Sequence, residues 1–134
     1  MEENEKMFNT LLDRENFITS MLEFIKSKYD LVNTQIFIFG SFLTEEFKPG
    51  ESDIDIGIYS EDEVKMYDIK VDLEIYLDKF DIKYDIVIMH LSKHLWINIP
   101  ILSYGKQLTS YQDSKLIDYL MEMIEEWGYS PAEK

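Results

Sequence analysis

The stretch Ile36-Phe-Ile-Phe-Gly-Ser-Phe42, followed by Glu51-Ser-Asp-Ile-Asp-Ile-Gly57, decides how this chain folds. Residues 35 to 39 form a short, unbroken apolar run that ends at Gly40, which is typical of a strand buried on both faces. Residues 42 to 52 contain a Pro-Gly turn signal and are predicted to form a loop. The sequence therefore predicts two neighbouring strands, and the first of them ends in a Gly-Ser pair.

The second strand carries two carboxylates on one face. Residues 53 to 59 alternate strictly, so Asp53 and Asp55 share one face while the isoleucines at 54, 56 and 58 face the core. The Cα atoms of the two aspartates are expected ~6.6 Å apart, and carboxylates this close repel each other unless a cation lies between them. The chain has no cysteine and no histidine cluster, so its hard oxygen ligands suit Mg²⁺ or Mn²⁺. A third carboxylate, Asp85, would complete a site for two ions.

Apolar periodicity places the remaining elements around these strands. The predicted elements are a helix over residues 13–29, a helix over 63–79 opened by a capping box of Ser60 and Glu63, a strand over 83–89, a short helix over 99–104 ended by Gly105, and a last helix over about 112–128 capped by Ser110 and Asp113. The last helix has an apolar stripe made of Leu116, Leu120, Met123, Ile124 and Trp127. This order predicts a single α/β domain over residues 1–134, in which helices pack on a small sheet.

The segment from residue 63 to residue 79 has two possible readings. Apolar residues at 69, 71, 73, 75 and 77 alternate as they would in a strand. Apolar residues at 69, 73, 76, 77 and 80 also fit one face of a helix. The length of the segment and the absence of a turn signal favour the helix.

Composition and charge exclude several classes of protein. Hydrophobic residues make up 46% of the 134 residues, which indicates a folded chain, and no apolar run is long enough to span a membrane. The acidic start of the chain does not resemble a signal peptide, so a cytoplasmic location is expected. The 27 acidic and 13 basic residues give a net charge of −14, and the only arginine is Arg14. Direct nucleic-acid binding is therefore not expected, because phosphate backbones are bound by clustered Lys and Arg.

Because so many residues are acidic, an Asp-x-Asp spacing alone is weak evidence for a metal site. The ordered setting is more specific: a strand, Gly40-Ser41, a loop, Asp53-Ile-Asp55 opening a strand, a helix, and then Tyr84-Asp-Ile-Val87. This setting resembles the minimal nucleotidyltransferase domain of the DNA polymerase beta-like superfamily. The resemblance covers about residues 15–110 and includes Ile99-Pro-Ile-Leu-Ser-Tyr-Gly-Lys-Gln-Leu108, which is similar to the family's closing segment. It implies a mixed, palm-like sheet.

The resemblance also implies roles for individual residues. Asp53 and Asp55 would bind both metal ions, and Asp85 would act on the side of the nucleophile. Gly40 and Ser41 would hold the terminal phosphates of ATP or another NTP, and Lys48 is the only cation in the loop that could assist them. Small members of the family often act as antitoxins of HEPN-type toxins, and some transfer AMP from ATP to their partner. A nucleotide and a HEPN-type protein are thus the implied partners, and an oligomer is possible.

The loop after Gly40-Ser41 departs from the family pattern. It has eleven residues between Ser41 and Asp53 where ten are usual, and Leu43-Thr-Glu-Glu46 replaces small and basic residues. Glu45 and Glu46 would disfavour a triphosphate unless they point outward. Two alternatives to protein AMPylation therefore stay open. One is an antitoxin that neutralises its toxin by binding alone, and the other is a nucleotidyltransferase for a small molecule of the aminoglycoside type.

Overall fold

In the computed structural model, residues 7–91 and 96–127 are described, and a four-stranded sheet lies at their centre. The strands are β1 (Thr34–Phe39), β2 (Ile54–Ser60), β3 (Tyr84–Ile88) and β4 (Lys106–Gln107), and the helices are α1 (Leu11–Lys26), α2 (Glu63–Asp78), α3 (Asn98–Tyr104) and α4 (Ser114–Trp127). The order across the sheet is β3-β2-β1-β4. The expected mixed α/β sheet with packed helices is confirmed.

The sheet is mixed because β2 is antiparallel to one neighbour and parallel to the other. β1 and β2 are antiparallel, with Ile36 opposite Ile58 and Phe39 opposite Asp55. β2 and β3 are parallel, and α2 provides the crossover that a parallel pair needs. The parallel register places Asp55 opposite Asp85.

The two faces of the sheet bury different side chains. One face packs against α1 and α2 and contains the predicted core-facing isoleucines of β2, which are 0% exposed. The other face packs against α3 and α4. Its principal buried residues are Phe37, Tyr59, Met89, Ile101 and Leu116. Because side chains alternate along β2, Asp55 lies on the α3 side of the sheet, as the alternation predicts.

The helix caps correct one detail of the sequence prediction and agree with another. The capping box of Ser60 and Glu63 is wrong: the N-cap of α2 is Asp62, whose side chain accepts a hydrogen bond from the Lys65 N–H. The last helix is capped by Asp113, whose Oδ1 accepts from the Lys115 N–H at 2.9 Å. Asp113 is buried, whereas Ser110 is exposed.

Only some residues of the apolar stripe predicted for the last helix are buried. Leu116 and Met123 are buried, while Leu120 and Ile124 are partly exposed. The side chain of Trp127 lies outside the described set. None of the helices in residues 7–91 and 96–127 is long and apolar enough to cross a membrane.

The sequence pattern did not predict β4. This strand is only two residues long and pairs antiparallel with Phe37 and Ile38 of β1 at the edge of the sheet. It follows directly on Gly105, which ends α3: a Cβ there would lie 2.4 Å from the Ile101 carbonyl oxygen. β4 thus fixes the end of α3 against the centre of the sheet.

Candidate active site

The backbone turns sharply where β1 ends. Gly40 follows Phe39 with φ +71°, a left-handed conformation that glycine adopts without strain. The pairing of Phe39 with Asp55 brings the Asp55 side chain against this turn. A Cβ at position 40 would lie 2.2 Å from Oδ2 of Asp55. Position 40 therefore needs glycine both for its backbone and for the space that the carboxylate occupies.

Three carboxylates influence one another at this end of the sheet. Burial, and then the nearby charges of Asp53 and Asp85, raise the pKa of Asp55 from 3.8 to about 6. Asp55 is half-buried, whereas Asp53 and Asp85 are exposed. Asp55 and Asp85 are directly opposite each other on parallel strands, which are about 4.8 Å apart in a sheet. The structure thus concentrates negative charge at the beginning of β2 and β3.

The carboxylates do not form a closed metal site by themselves. Within residues 7–91 and 96–127, no group of three or more His, Asp or Glu side chains is arranged to hold a metal ion. Their chemistry nevertheless suits a hard divalent cation, because oxygen donors are the ligands that Mg²⁺ prefers and a cation would relieve the repulsion at Asp55. Mg²⁺ is commonly held by one or two carboxylates, with water and substrate phosphates completing the coordination. The donor set fits that open type of site.

A buried arginine holds the loop that follows Gly40. Arg14 of α1 is only 4% exposed. Its Nε donates to the Phe42 carbonyl at 2.7 Å, and its Nη2 donates to the Thr44 carbonyl at 3.0 Å. Its Nη1 donates to the Phe8 carbonyl at 2.7 Å. The single arginine of the chain is thus committed to shaping the loop and its approach to α1, and it does not contact the candidate phosphate site.

Two aromatic side chains anchor the same loop. Phe42 and Phe47 are buried and meet edge to face, with ring centroids 4.9 Å apart. The Arg14 guanidinium lies 5.1 Å from the centroid of Phe47. Between these anchors, Glu45 and Glu46 are exposed. The burial of the two aromatic rings therefore leaves the glutamates on the outside of the loop.

The other predicted nucleotide-binding residues lie on the accessible side of the loop. Ser41 is half-buried, and its carbonyl accepts hydrogen bonds from the N–H and the hydroxyl of Thr44. Its own hydroxyl has no hydrogen-bond partner among the described residues. Lys48 is exposed and begins a turn in which its carbonyl accepts from the Glu51 and Ser52 N–H groups. Both side chains can thus reach a ligand without breaking a contact of the fold.

Sequence reasoning missed two residues that support the site. Arg14 stood out as the only arginine, but its partners are backbone carbonyls, which no sequence pattern reveals. Gly57 lies on the same face of β2 as Asp55, and a Cβ there would be 3.0 Å from Cγ2 of Ile101. The absence of a side chain at position 57 lets α3 pack closely beneath the carboxylates. The glycine at an otherwise alternating position was the available signal.

Comparison with known proteins places this geometry in context. The family described as Nucleotidyltransferase domain matches residues 18–125. A search of curated protein sequences finds no match. Three solved structures share the fold, at 18% to 20% sequence identity.

The first of these is a mutant of the toxin–antitoxin pair MntA-HpeT, with a TM-score of 0.54 over 89% of this chain and 90% of that one. The second is the tri-AMPylated HEPN toxin of Shewanella oneidensis in complex with MNT antitoxin, with a TM-score of 0.50 over 92% of both chains. The third is a toxin–antitoxin with AMP-PNP, with a TM-score of 0.52 over 85% and 90%.

Proposed function

The chain belongs to the nucleotidyltransferase domain family, and on that premise we propose that it transfers a nucleoside monophosphate, AMP from ATP, to a hydroxyl of a partner protein. The observation that carries the proposal is the contact of Asp55 with Gly40 at the end of β1, in register with Asp85 on β3. It puts the Gly-Ser turn, which suits phosphate, beside carboxylates that suit a divalent cation.

Each residue has a defined part in this proposal. Asp53 and Asp55 would hold Mg²⁺ or Mn²⁺, and Asp85 would be a further ligand. The ion, when bound, neutralises phosphate charge and lowers the pKa of the attacking hydroxyl. The Gly40 backbone and the Ser41 hydroxyl bind the terminal phosphates, and Lys48 adds a positive charge at the same loop.

The transfer exchanges a phosphoanhydride bond of ATP for a phosphoester bond on the acceptor. The acceptor oxygen forms a bond to the α-phosphorus of ATP, the bond to the β-phosphate bridging oxygen breaks, and pyrophosphate leaves with that electron pair. Asp85 is exposed and stands on the edge strand β3, where an acceptor can approach it. We propose that the Asp85 carboxylate accepts the proton of the acceptor hydroxyl.

A protein acceptor is proposed because structurally similar proteins occur in toxin–antitoxin complexes. One similar structure is an AMPylated HEPN toxin in complex with its MNT antitoxin, and another contains AMP-PNP. A HEPN-type toxin is therefore the partner that we propose for this chain, with this chain as the antitoxin.

Intact-mass spectrometry tests the proposal. The purified chain is incubated with ATP, Mg²⁺ and a separately purified HEPN-type protein, which the proposal expects to be encoded beside it, and the expected result is a mass increase of one or more AMP units on the partner. Asp53→Asn and Asp55→Asn should abolish the increase. Asp118→Asn is the matched control, since it removes the same charge from an exposed position on α4. No added mass with a folded wild-type protein contradicts the proposal.

A second candidate is a binding-only antitoxin, and one observation favours it: the described carboxylates form no complete metal-binding group. Neutralisation of the toxin in cells separates the two candidates. Loss of neutralisation in Asp55→Asn, with complex formation intact, supports catalysis. Full neutralisation by the same variant supports binding alone.

A further inference from the structure

Helix α2 has two apolar faces, and only one of them is packed. Its inner face buries Met66, Ile69, Leu73 and Leu77 against the sheet. Its outer face carries Val64, Tyr67, Val71 and Ile75, which are 72%, 43%, 52% and 52% exposed. At 100° per residue these four side chains fall within one narrow sector of the helix, opposite the buried sector. We call them the outer stripe of α2.

The two faces explain the strand-like alternation in the sequence. Apolar residues at 69, 73 and 77 belong to the buried face, and those at 71 and 75 belong to the outer stripe. A helix that only covered a sheet would need one apolar face, with polar residues on the other. Valine and isoleucine are also poorer helix formers than lysine or glutamate, so helix propensity does not account for them. Contiguous exposed apolar residues are a common feature of protein interaction surfaces.

The charges beside the outer stripe are predominantly acidic. Asp68 borders it on one side and Glu74 borders it on the other, and Asp78 follows at its C-terminal end. Lys70 lies 3.9 Å from Glu74 and offsets part of that charge. Lys65 is directed elsewhere, since its Nζ donates to the Asp30 carbonyl at 2.8 Å and to Asn33 at 3.0 Å. The stripe thus presents an apolar ridge with an acidic border.

This border discriminates between possible occupants. A second copy would bring acidic borders together, on molecules that each carry a net charge of −14. A segment with an apolar ridge flanked by Lys or Arg would be attracted instead. An i, i+3, i+7, i+11 stripe over three turns packs naturally against another helix.

We propose that the outer stripe of α2 is the docking surface for a basic amphipathic helix of another protein. The Tyr67 hydroxyl lies 3.0 Å from Nε2 of His90, so the ring at this end of the stripe has a contact within the fold. α2 packs on the face of the sheet opposite to that of Asp55, so a helix docked there leaves the carboxylates accessible. The inference goes beyond the proposed function and does not require nucleotide transfer.

Three synthetic peptides of equal length test the proposal by calorimetry with the wild-type chain. One has a leucine stripe flanked by lysine and arginine, one has the same stripe flanked by glutamate, and one has the basic composition in scrambled order. The peptide flanked by lysine and arginine should bind, and the peptide flanked by glutamate should not. The scrambled basic peptide should bind at least about tenfold more weakly than the ordered basic peptide. The scrambled peptide controls for the general attraction of cations to an acidic protein.

Two double variants locate the surface. Val71→Gln with Ile75→Gln should weaken binding of the basic amphipathic peptide by about tenfold or more. Ile117→Gln with Met121→Gln alters two apolar residues of similar exposure on α4, 58% and 61%, and should leave binding unchanged. Equal binding of the ordered and scrambled basic peptides overturns the proposal, as does absence of binding. The proposal is also overturned if the wild-type chain self-associates in sedimentation velocity and the double variant Val71→Gln with Ile75→Gln does not. The outer stripe would then bind a second copy of the chain.

Discussion

The Asp55 carboxylate lies in the space that a side chain at position 40 would occupy. A Cβ on Gly40 would be 2.2 Å from Oδ2 of Asp55 and 3.1 Å from its Cγ. The close atoms belong to the far end of a side chain and not to the backbone. The structure can therefore accept a residue other than glycine only by turning the carboxylate away from the candidate metal site.

Gly40→Ala is expected to abolish Mg²⁺ binding and transfer while leaving the chain folded. The left-handed backbone costs an alanine about 1 kcal/mol, and the displaced carboxylate removes a metal ligand. Gly50→Ala is the matched control, because Gly50 has φ +84° and nothing within 4 Å of its Cβ position. Urea unfolding should show a similar decrease in the free energy of unfolding for the two variants. Calorimetry should show that only Gly40→Ala loses binding of Mg²⁺ and AMP-PNP. Normal binding by Gly40→Ala contradicts the assigned role of Asp55.

The stability of the metal-free protein should depend on pH through Asp55. Its folded-state pKa of about 6 lies above the ordinary 3.8, so the folded state holds this proton more tightly than the unfolded state. The resulting stabilisation is complete below pH 3.8 and is lost as pH rises through 6. Asp55→Asn should therefore stabilise the chain more at pH 7 than at pH 4. The expected difference is about 1 kcal/mol after allowance for solvent screening.

Urea unfolding in a chelator, at the two pH values, measures this difference. Asp118→Asn removes a charge from an exposed site on α4 and controls for the effect of net charge alone. An equal pH dependence in both variants would assign the effect to the overall charge of −14.

Mg²⁺ should stabilise the folded chain, and more so above pH 6 than below it. Ion binding requires the ionised carboxylates, and protons compete for Asp55 below its pKa of about 6. At ten times its Kd the ion would add about 1.4 kcal/mol to the free energy of unfolding. Thermal unfolding with and without Mg²⁺, at pH 5 and pH 7.5, measures the effect. Asp53→Asn should remove the stabilisation at both pH values, and its persistence would place the ion elsewhere.

Arg14→Gln should loosen the loop after Gly40. The variant loses buried hydrogen bonds to the Phe42, Thr44 and Phe8 carbonyls, and we expect a cost of about 2 to 4 kcal/mol. Hydrogen exchange should accelerate at the amides of residues 42–47 more than at those of β2. Lys26→Gln, at an exposed position on the same helix, should change stability by about 0.5 kcal/mol or less. Uniform acceleration across the sheet would show that Arg14 supports the whole fold and not this loop.

The sequence could predict the central part of the fold because its signals there are periodic. Alternation in β2 correctly assigned Ile54, Ile56 and Ile58 to the core and Asp55 to the opposite face. β4 gave no signal, because two residues are too few to show a period. The N-cap of α2 was misassigned because Asp62, the residue before Glu63, accepts a hydrogen bond from the Lys65 N–H, whereas Ser60 still belongs to β2 and its hydroxyl donates to the Asn33 carbonyl.

Of the residues at the candidate site, only the acidic residues and the glycine could be picked out from the sequence. Gly40, Asp53, Asp55 and Asp85 are visible as chemistry-bearing residues in a specific order, and their roles stay a prediction. Arg14 could not be assigned, since the carbonyls that it binds are separated from it by up to 30 residues and are common to every residue type. The outward position of Glu45 and Glu46 likewise depends on the burial of Phe42 and Phe47, which is a property of the packed chain.

The mixed sheet imposes an order on the assembly of the site during folding. The contact between Gly40 and Asp55 needs only the antiparallel pair β1 and β2, whose connection spans residues 40–53. Asp85 joins through a parallel pairing that must wait for the crossover of residues 61–83 to close and for α2 to dock. During synthesis, the turn and two of the carboxylates can come together on the nascent chain well before the third. All three carboxylates can therefore share one site only after β3 has left the ribosome and paired with β2.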